Sequence, residues 1–313
     1  MNGTDAMRAG PCPDGKAGSH RIVAVVVTLN PDAAVFDALL TATRAQVERI
    51  VVVDNGSREE SAREVARLCG TRAELHGLHK NLGVAAAQNR GIEWARATGA
   101  THVLLLDHDS VPDPDMVAAL RVAAEELAAR AVALGAVGPV IIDRQTQTAA
   151  PLPQIVDGAV RFVQAPPSQP TECEYLIASG SLIPMAVFDS VGPMDETYFV
   201  DQVDIEWCLR AQRSGFAMYC APRARLNHMI GDEVVSFWLL RRRELAVHSP
   251  LRDYYYFRNS VRLIRSADVP TPWRRFWIRR LVRLFVLQSL FVAPRLARAR
   301  AMLKGVTEGF LRT

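Results

Sequence analysis

The chain has 313 residues, of which 49% are hydrophobic and 22% are charged, and this is the composition of an ordinary globular protein. The length suits one large domain or a domain with an appendage. Five widely spaced cysteines form no CxxC pair, which argues against a disulfide framework and favours a reducing compartment. Residues 1–20 are rich in Gly, Pro and small residues and lack the apolar run of a signal peptide, so we predict a disordered tail.

The net charge of +4 hides an uneven distribution of charge along the chain. Residues 239–313 contain 16 Arg and one Lys against four acidic residues, a net charge of +13, whereas residues 1–238 carry −9. An acidic body with a strongly basic end predicts an anionic partner for that end. No recognisable nucleic-acid-binding module accompanies the positive charge, so we do not expect that partner to be a nucleic acid.

Continuous apolar, β-branched runs alternate with amphipathic segments in the N-terminal half of the chain. Such runs are typical of strands that are buried on both faces of a parallel sheet. The predicted strands are residues 21–30, 47–57, 101–110 and 133–143, and the predicted helices are residues 32–46, 58–70, 81–99 and 114–131. Later segments predict a strand and short helix (175–192), a helix with an acidic first half (200–216) and a strand that runs into a polar loop (217–233), while 144–172 is predicted as loop and short strand. The alternation predicts a doubly wound α/β fold.

Polar and acidic residues follow the predicted strands, where a doubly wound sheet binds its ligands. Asp107 and Asp109 come at the end of one strand, and two carboxylates at this spacing suit Mg²⁺ or Mn²⁺, which also binds phosphate oxygens. Two solvated carboxylates at a strand exit are the alternative. Asp54 ends another strand in an Asp-Asn-Gly turn, where it serves either as an acceptor for a base N–H or as a turn former.

Six segments in this order resemble the family 2 glycosyltransferases with the GT-A fold: VVVTLNP, VVVDNGS, NLGVAAAQNRGI, LLLDHDS, ASGSLIP and MDETYFVDQVDIEWCLRAQRSGF. Three segments are more specifically similar to rhamnosyltransferases that use dTDP-L-rhamnose: DHDS, YFVDQVDIEWCLR and RDYYYFRNSVRL. The resemblance covers roughly residues 21–233. It implies a GT-A (Rossmann-like) mixed, mainly parallel sheet flanked by helices over residues 21–238. The charge and the apolar pattern of residues 239–313 indicate a basic amphipathic helical extension.

The resemblance also implies a role for each polar group. The nucleotide-sugar-binding residues would be Thr28, Asn30, Asp54, Asn81, Gly83, Asn89 and Asp107. The metal, Mg²⁺ or Mn²⁺, would be bound by Asp109, with Asp107 facing the metal or the ribose and His228 as a third ligand. An ordinary loop or core histidine is the alternative for His228. The acceptor-side residues would be Gly180, Ser181 and Glu206.

Asp204 falls at the position of the family's catalytic base, although Val203 replaces the Glu that precedes it in the family pattern. Asp201 is the second candidate. For Asp201, Asp204 and Glu206 the alternative is that acidic residues are merely favoured at a helix N-terminus. Sugar transfer passes through an oxocarbenium-like state, and the attacking hydroxyl must lose its proton to a carboxylate. One base and one metal-bound diphosphate leaving group fit an inverting single displacement.

From Trp273 onward, apolar residues alternate with arginines, and the longest stretch without charge is too short to span a bilayer. This pattern suits a helix that lies in the membrane interface. A helical subdomain packed on the body of the protein, or a dimer contact in a homo-oligomer, is the alternative.

The expected protein is therefore a cytoplasmic enzyme, peripheral on the inner face of the plasma membrane. It would transfer L-rhamnose from dTDP-L-rhamnose to a hydroxyl of a cell-surface polysaccharide or lipid-linked glycan. A family 2 transferase with a UDP- or GDP-linked donor and a non-catalytic glycan-binding scaffold are the alternatives. A nucleotidyltransferase is disfavoured, because the first strand ends in TLNPD rather than in a Gly-rich, Lys-containing phosphate loop.

Overall fold

The computed structural model of the protein describes residues 20–229, 233–239, 241–247 and 249–311. The tail predicted over residues 1–20 lies outside these residues, apart from His20.

The secondary structure follows the predicted alternation. The strands are β1 (Ile22–Thr28), β2 (Arg49–Asp54), β3 (Glu74–Gly77), β4 (His102–Asp107), β5 (Val111–Pro112), β6 (Leu134–Asp143), β7 (Leu152–Val156), β8 (Ala159–Val163), β9 (Thr171–Cys173), β10 (Leu182–Pro184), β11 (Ala217–His228), β12 (Glu233–Leu239) and β13 (Arg241–Val247). The helices are α1 (Ala33–Arg44), α2 (Glu59–Cys69), α3 (Val84–Ala97), α4 (Met116–Ala129), α5 (Met185–Val191), α6 (Val203–Arg213), α7 (Pro250–Arg265), α8 (Thr271–Phe291) and α9 (Arg295–Leu311). A short 3₁₀ helix, Glu196–Tyr198, precedes α6.

Nine of these strands form one sheet in the order β3-β2-β1-β4-β10-β6-β11-β5, with β9 also paired to β11. The long ladders are parallel: β3-β2, β2-β1, β1-β4 and β6-β11. The short ladders made by β10, β5 and β9 are antiparallel. The prediction of a mixed, mainly parallel sheet flanked by helices is therefore confirmed.

Strand β1 shows why the predicted strands read as continuous apolar runs. Its side chains alternate between two separate cores, since successive residues of a strand point to opposite faces. Val23, Val25 and Val27 pack with α3, α5 and α6 on one face. Ile22, Ala24 and Val26 pack with α1, α2 and α4 on the other. Because both faces are buried, no polar position interrupts the strand.

The C-terminal helices pack on the body of the protein. Trp273 and Trp277 of α8 are buried against Ile205 and Leu209 of α6. Helix α9 crosses α7 closely at Gly305, where a Cβ would lie only 2.4 Å from the backbone oxygen of Tyr254. The predicted boundary between residues 238 and 239 falls inside β12, so the division into two domains stays a prediction. Among the described residues, no helix combines the length and the apolar character needed to cross a membrane.

Candidate active site

Three neighbouring parallel strands bring the predicted nucleotide-binding residues to one edge of the sheet. Thr28 at the end of β1 is in register with Asp54 at the end of β2, and Val27 is in register with Asp107 at the end of β4. The carboxyl ends of parallel strands form the ligand-binding edge of such sheets. Thr28 is buried, and its Oγ1 has no hydrogen-bond partner among the described residues.

The turn after β2 fixes the carboxylate of Asp54. Ser57 donates its hydroxyl to Asp54 Oδ1 at 2.5 Å and its backbone N–H to Oδ2 at 3.2 Å. The same Ser57 hydroxyl accepts the backbone N–H of Asn30 at 2.7 Å, and Asn30 Oδ1 accepts the N–H of Arg58 at 2.8 Å. The turn-forming role of Asp54 is thus real, and the turn also joins Asp54 to Asn30 in one rigid polar surface.

The loop from Asn81 to Gly83 lies beside this turn. Asn81 Oδ1 accepts the side-chain N–H of Asn55 at 3.0 Å and the backbone N–H of Gly83 at 2.9 Å. Gly83 has φ +91°, and a Cβ on it would lie 2.5 Å from the backbone oxygen of Phe199. Val84 donates its N–H to that same oxygen at 2.7 Å. Position 83 therefore requires glycine, both because of its positive φ and because the Phe199 backbone lies so close.

Asp107, Asp109 and His228 form a cluster with metal-ligand chemistry. One potential ligand atom from each lies within 4.8 Å of the others. Asp109 Oδ1 is buried without a hydrogen bond among the described residues and lies 3.3 Å from His228 Nδ1. Two carboxylates and an imidazole are ligands that suit a divalent cation, and a cation here would also interact with the Asp109 oxygen that lacks a hydrogen bond.

A chain of hydrogen bonds orients this cluster from behind. His228 Nδ1 lies 2.8 Å from the hydroxyl of Ser110, which shares a 2.6 Å hydrogen bond with the hydroxyl of Ser179. Ser179 accepts the backbone N–H of Asp107 at 3.0 Å. Burial raises the pKa of Asp107. Burial lowers the pKa of His228, whereas Asp109 and Asp107 raise it. The net effect is a raised pKa for His228. His228 thus lies beside the two aspartates, and its role as a metal ligand stays a prediction.

Asp204 lies at the start of α6. Its Oδ1 accepts the N–H of Ile205 at 2.9 Å, and its Oδ2 accepts the N–H of Ala178 at 3.3 Å. Burial raises the pKa of Asp204 to about 6, although these two hydrogen bonds act in the opposite direction. A carboxylate with a pKa close to neutrality is ionised at physiological pH and still basic enough to accept a proton.

The second candidate base, Asp201, and the predicted acceptor-side residue Glu206 are both paired with arginines. Arg252 contacts Asp201 Oδ1 at 3.1 Å, and Arg210 binds both carboxylate oxygens of Glu206 at 2.8 and 2.9 Å. A carboxylate neutralised by a guanidinium is a poor proton acceptor. Within the described part of the chain Asp204 has no such partner, which favours it over Asp201 as a base.

Comparison with known sequences assigns the family. A sequence model described as "Glycosyl transferase family 2" matches residues 23–165. A "dTDP-rhamnosyl transferase RfbF" from Shigella flexneri is 31% identical over 290 residues, which cover 92% of this chain and 94% of the relative. The chain belongs to glycosyl transferase family 2. It is a glycosyltransferase, as its motifs predicted.

Solved structures confirm the fold of the transferase. It superposes on GalNAc-T7, solved with UDP, GalNAc and Mn²⁺, with a TM-score of 0.61 and 13% identity, covering 95% of this chain and 57% of that one. It superposes on residues 1–349 of Staphylococcus aureus TarS with a TM-score of 0.55 and 15% identity, covering 92% and 80% of the two chains. These structures are GT-A glycosyltransferases, and the predicted GT-A fold is confirmed.

The sequence did not predict how the transferase holds the segment before Asp204. This segment, residues 197–202, is named here the Asp201 loop, and it contains three non-glycine residues with positive φ: Phe199 (+63°), Asp201 (+60°) and Gln202 (+66°). Such conformations persist only where the surrounding structure imposes them. The buried side-chain nitrogen of Asn259, on α7, lies 2.6, 2.7 and 3.0 Å from the backbone oxygens of Tyr198, Val200 and Asp201.

Two neighbours of Asn259 on α7 reinforce this contact. Arg258 donates to the backbone oxygen of Thr197 at 2.7 Å, and Ser260 accepts the side-chain N–H of Gln202 at 2.9 Å. The sequence gives one indication of this contact. In the segment YYYFRNS three polar residues, Arg258, Asn259 and Ser260, directly follow a run of aromatic residues. Helix α7 of the basic extension is thus part of the structure that positions the candidate base.

The remaining predicted site residues have mainly structural contacts. Asn89 is buried, and its amide accepts the N–H of Met194 and donates to the Met194 carbonyl, both at 2.9 Å, and to Glu196 at 3.0 Å. Gly180 (φ +87°) packs against Pro139, and Ser181 donates to the backbone oxygen of Ile177 at 2.6 Å. Asn89 therefore joins α3 to the segment before α6, and its contact with the nucleotide stays a prediction. The acceptor-side roles of Gly180 and Ser181 also stay predictions.

Proposed function

We propose that the protein transfers L-rhamnose from dTDP-L-rhamnose, with inversion at the anomeric carbon, to a hydroxyl of a glycan acceptor. The observation that carries this proposal is the pairing of one base, Asp204, with one candidate metal cluster at the same site. The donor identity is supported by the 31% identity to a dTDP-rhamnosyl transferase over most of both chains. Asp54, Thr28 and Asn30 form the wall against which the thymidine part of the donor would bind.

Asp109, Asp107 and His228 would hold Mg²⁺ or Mn²⁺. A bound divalent cation supplies charge neutralisation for the departing diphosphate. The hydrogen-bond chain through Ser110 and Ser179 fixes the positions of the ligands before the donor arrives, and such pre-organisation raises metal affinity.

Asp204 accepts the proton of the acceptor hydroxyl. That oxygen forms a bond to the anomeric carbon from the face opposite the diphosphate, while the bond from the carbon to the diphosphate oxygen breaks. Asp204 is ionised above pH about 6 and is free of arginine partners among the described residues, so it can take this proton.

The basic extension is proposed to hold the enzyme on the cytoplasmic face of a membrane. On α8, Ile278, Val282, Val286 and Leu290 are 50, 62, 46 and 57% exposed and recur every four residues along one side of the helix. Apolar side chains in this arrangement, next to arginines, suit the interface of an anionic membrane.

A panel of nucleotide sugars tests the function. In the presence of Mn²⁺ we expect the wild-type protein to hydrolyse dTDP-L-rhamnose slowly, with water in place of the acceptor, and to act less on UDP- and GDP-linked sugars. Faster hydrolysis of a UDP- or GDP-linked sugar would replace the proposed donor. Absence of turnover and of metal-dependent dTDP binding would favour a glycan-binding scaffold.

A further inference from the structure

A cavity of about 790 Å³ lies between α7, α8 and the β7–β8 hairpin and reaches Asp201. It is named here the arginine cavity, because its lining contains five arginines: Arg161, Arg275, Arg279, Arg280 and Arg283. Arg275, Arg279 and Arg283 recur every four residues on α8, so their Cα atoms form a row with steps of roughly 6 Å. The cavity is separate from the strand-end edge that carries Asp54 and Asp109.

Among the residues that the structure describes, the arginines of this cavity outnumber the carboxylates that could balance their charge. Its two acidic lining residues already have arginine partners, since Asp201 pairs with Arg252 and Asp253 pairs with the buried Arg298. No side-chain hydrogen bond or ion pair within the described residues involves four of these arginines: Arg161, Arg275, Arg279 and Arg283. Guanidinium groups that line a concave surface without a carboxylate partner bind phosphate oxygens in a bidentate manner.

An apolar surface begins where the arginine row ends. Arg279 and Arg283 also line a second, shallower cavity of about 410 Å³, together with Ile278, Val282 and Val286. The two rows lie side by side on α8, because residues three and four apart are neighbours on a helix. The ligand that matches both rows is an amphiphile, with an anionic group on the arginines and an apolar chain on the exposed side chains.

A buried acceptor of hydrogen bonds completes the lining. Gln288 is 4% exposed, and its Oε1 has no partner among the described residues. A buried carbonyl oxygen left without a donor is unfavourable, so a ligand hydroxyl that donates to it is stabilised.

We infer that the arginine cavity binds the acceptor through a phosphate or diphosphate group, with the lipid chain of the acceptor along Ile278, Val282 and Val286. This inference rests on the proposed transferase function. The cavity reaches Asp201, which precedes Asp204 by three residues in the chain, and we place the sugar attached to the bound anion beside that base. The acceptor is thereby a phospholipid-linked glycan whose reacting sugar lies close to the phosphate.

The test uses farnesyl diphosphate, a soluble diphosphate amphiphile, and follows its binding to the full chain by calorimetry in EDTA, so that the candidate metal cluster does not bind the probe. The double variant Arg279→Gln/Arg283→Gln should weaken binding at least about tenfold, because each arginine contributes a charge-assisted hydrogen bond. The matched control Arg295→Gln/Arg300→Gln removes the same charge from exposed positions on α9 outside the cavity. It should change affinity by less than about twofold.

Three results would overturn the inference. Equal weakening in the two double variants would mean general charge attraction. Farnesol binding as tightly as farnesyl diphosphate would remove the role of the phosphate. A wild-type protein that hydrolyses dTDP-L-rhamnose but does not bind farnesyl diphosphate would refute the anionic acceptor site. The proposed transferase function would then stand. The proposed function fails separately, if the wild type hydrolyses no nucleotide sugar.

Discussion

The side-chain nitrogen of Asn259 lies 3.0 Å from the backbone oxygen of Asp201, so a helix of the C-terminal extension holds the loop that leads into the candidate base. The same nitrogen approaches two more carbonyls of the Asp201 loop, at 2.6 and 2.7 Å. Helix α7 therefore positions the loop that precedes the candidate base.

Replacing Asn259 should damage turnover more than donor binding. Asn259→Ala removes the side-chain donor of the Val200 and Asp201 carbonyls, whereas the Tyr198 carbonyl keeps Arg258 as a donor, and it releases the positive-φ residues beside Asp204. A misplaced base should lower kcat for donor hydrolysis by roughly 10- to 100-fold. The dissociation constant for dTDP with Mn²⁺ should change little, since the nucleotide wall at Asp54 is untouched.

The control for Asn259 is Arg265→Gln on the same helix. Arg265 donates to the backbone oxygens of Gly309 and Phe310 on α9, at 3.2 and 2.7 Å, and does not contact the Asp201 loop. It should lower the melting temperature while kcat stays near wild type. Equal loss of kcat in both variants would show that α7 acts on general stability only.

Gly83 should tolerate no side chain. Gly83→Ala places a methyl group 2.5 Å from the backbone oxygen of Phe199, in addition to the strain of φ +91°. Gly215→Ala is a matched control, because Gly215 has φ +90° and no heavy atom within 4 Å of its Cβ position. Urea denaturation should show Gly83→Ala to be less stable than Gly215→Ala, whose loss should be about 1–2 kcal/mol from backbone strain alone. Equal losses would mean that the Phe199 contact relaxes at no cost.

Metal-dependent nucleotide binding should require Asp109. Asp109→Ala removes the orphaned oxygen of the candidate cluster and should abolish the increase in dTDP affinity that Mn²⁺ gives the wild type. Asp115→Asn, an exposed aspartate at the start of α4, serves as control and should keep that increase. Calorimetric titration of dTDP with and without Mn²⁺ measures both. A full Mn²⁺ effect in Asp109→Ala would place the metal elsewhere.

The pKa of Asp204 predicts a pH dependence of stability that needs no acceptor. Its folded-state pKa of about 6 lies above the unfolded value, so the folded protein binds the proton more tightly. In the metal-free wild type this group's contribution to stability should fall as pH rises from about 4 to about 6, by roughly 2–3 kcal/mol in total. Asp204→Asn removes the titrating group. The melting temperature of the variant should therefore rise relative to that of the wild type as the pH increases across that window. A constant difference between the two would contradict the raised pKa.

The sequence predicted those parts of the site whose position follows from a strand end or from a family motif. Asp54 and Asp107 were placed together because strand ends of a parallel sheet share one edge, and both strands are continuous apolar runs. Asp204 was placed by resemblance to a family motif. The pairing of Asp201 with Arg252 was not predicted, because the two residues lie 51 positions apart and meet only through the docking of α7. That pairing is what separates Asp204 from the second candidate base.

Other features depended on packing that no local pattern encodes. The four-residue strand β3 has too few apolar residues to show a period. Apolar residues of α8 were expected on one membrane-facing side, yet Trp273, Trp277 and Leu281 are buried against the protein while Ile278 and Val282 are exposed. The helix has two apolar sides, and a sequence of alternating Arg and apolar residues does not distinguish them.

Asp204 is the proposed base of a dTDP-L-rhamnose transferase, and turnover and donor binding measured side by side in Asp204→Asn test that role. Hydrolysis of dTDP-L-rhamnose with Mn²⁺ should fall by about 10²- to 10⁴-fold, while dTDP binds as in wild type. Asp201→Asn, which removes only an arginine-paired carboxylate, should lose less. Wild-type turnover in Asp204→Asn, or a larger loss in Asp201→Asn, would show that Asp204 is not the base.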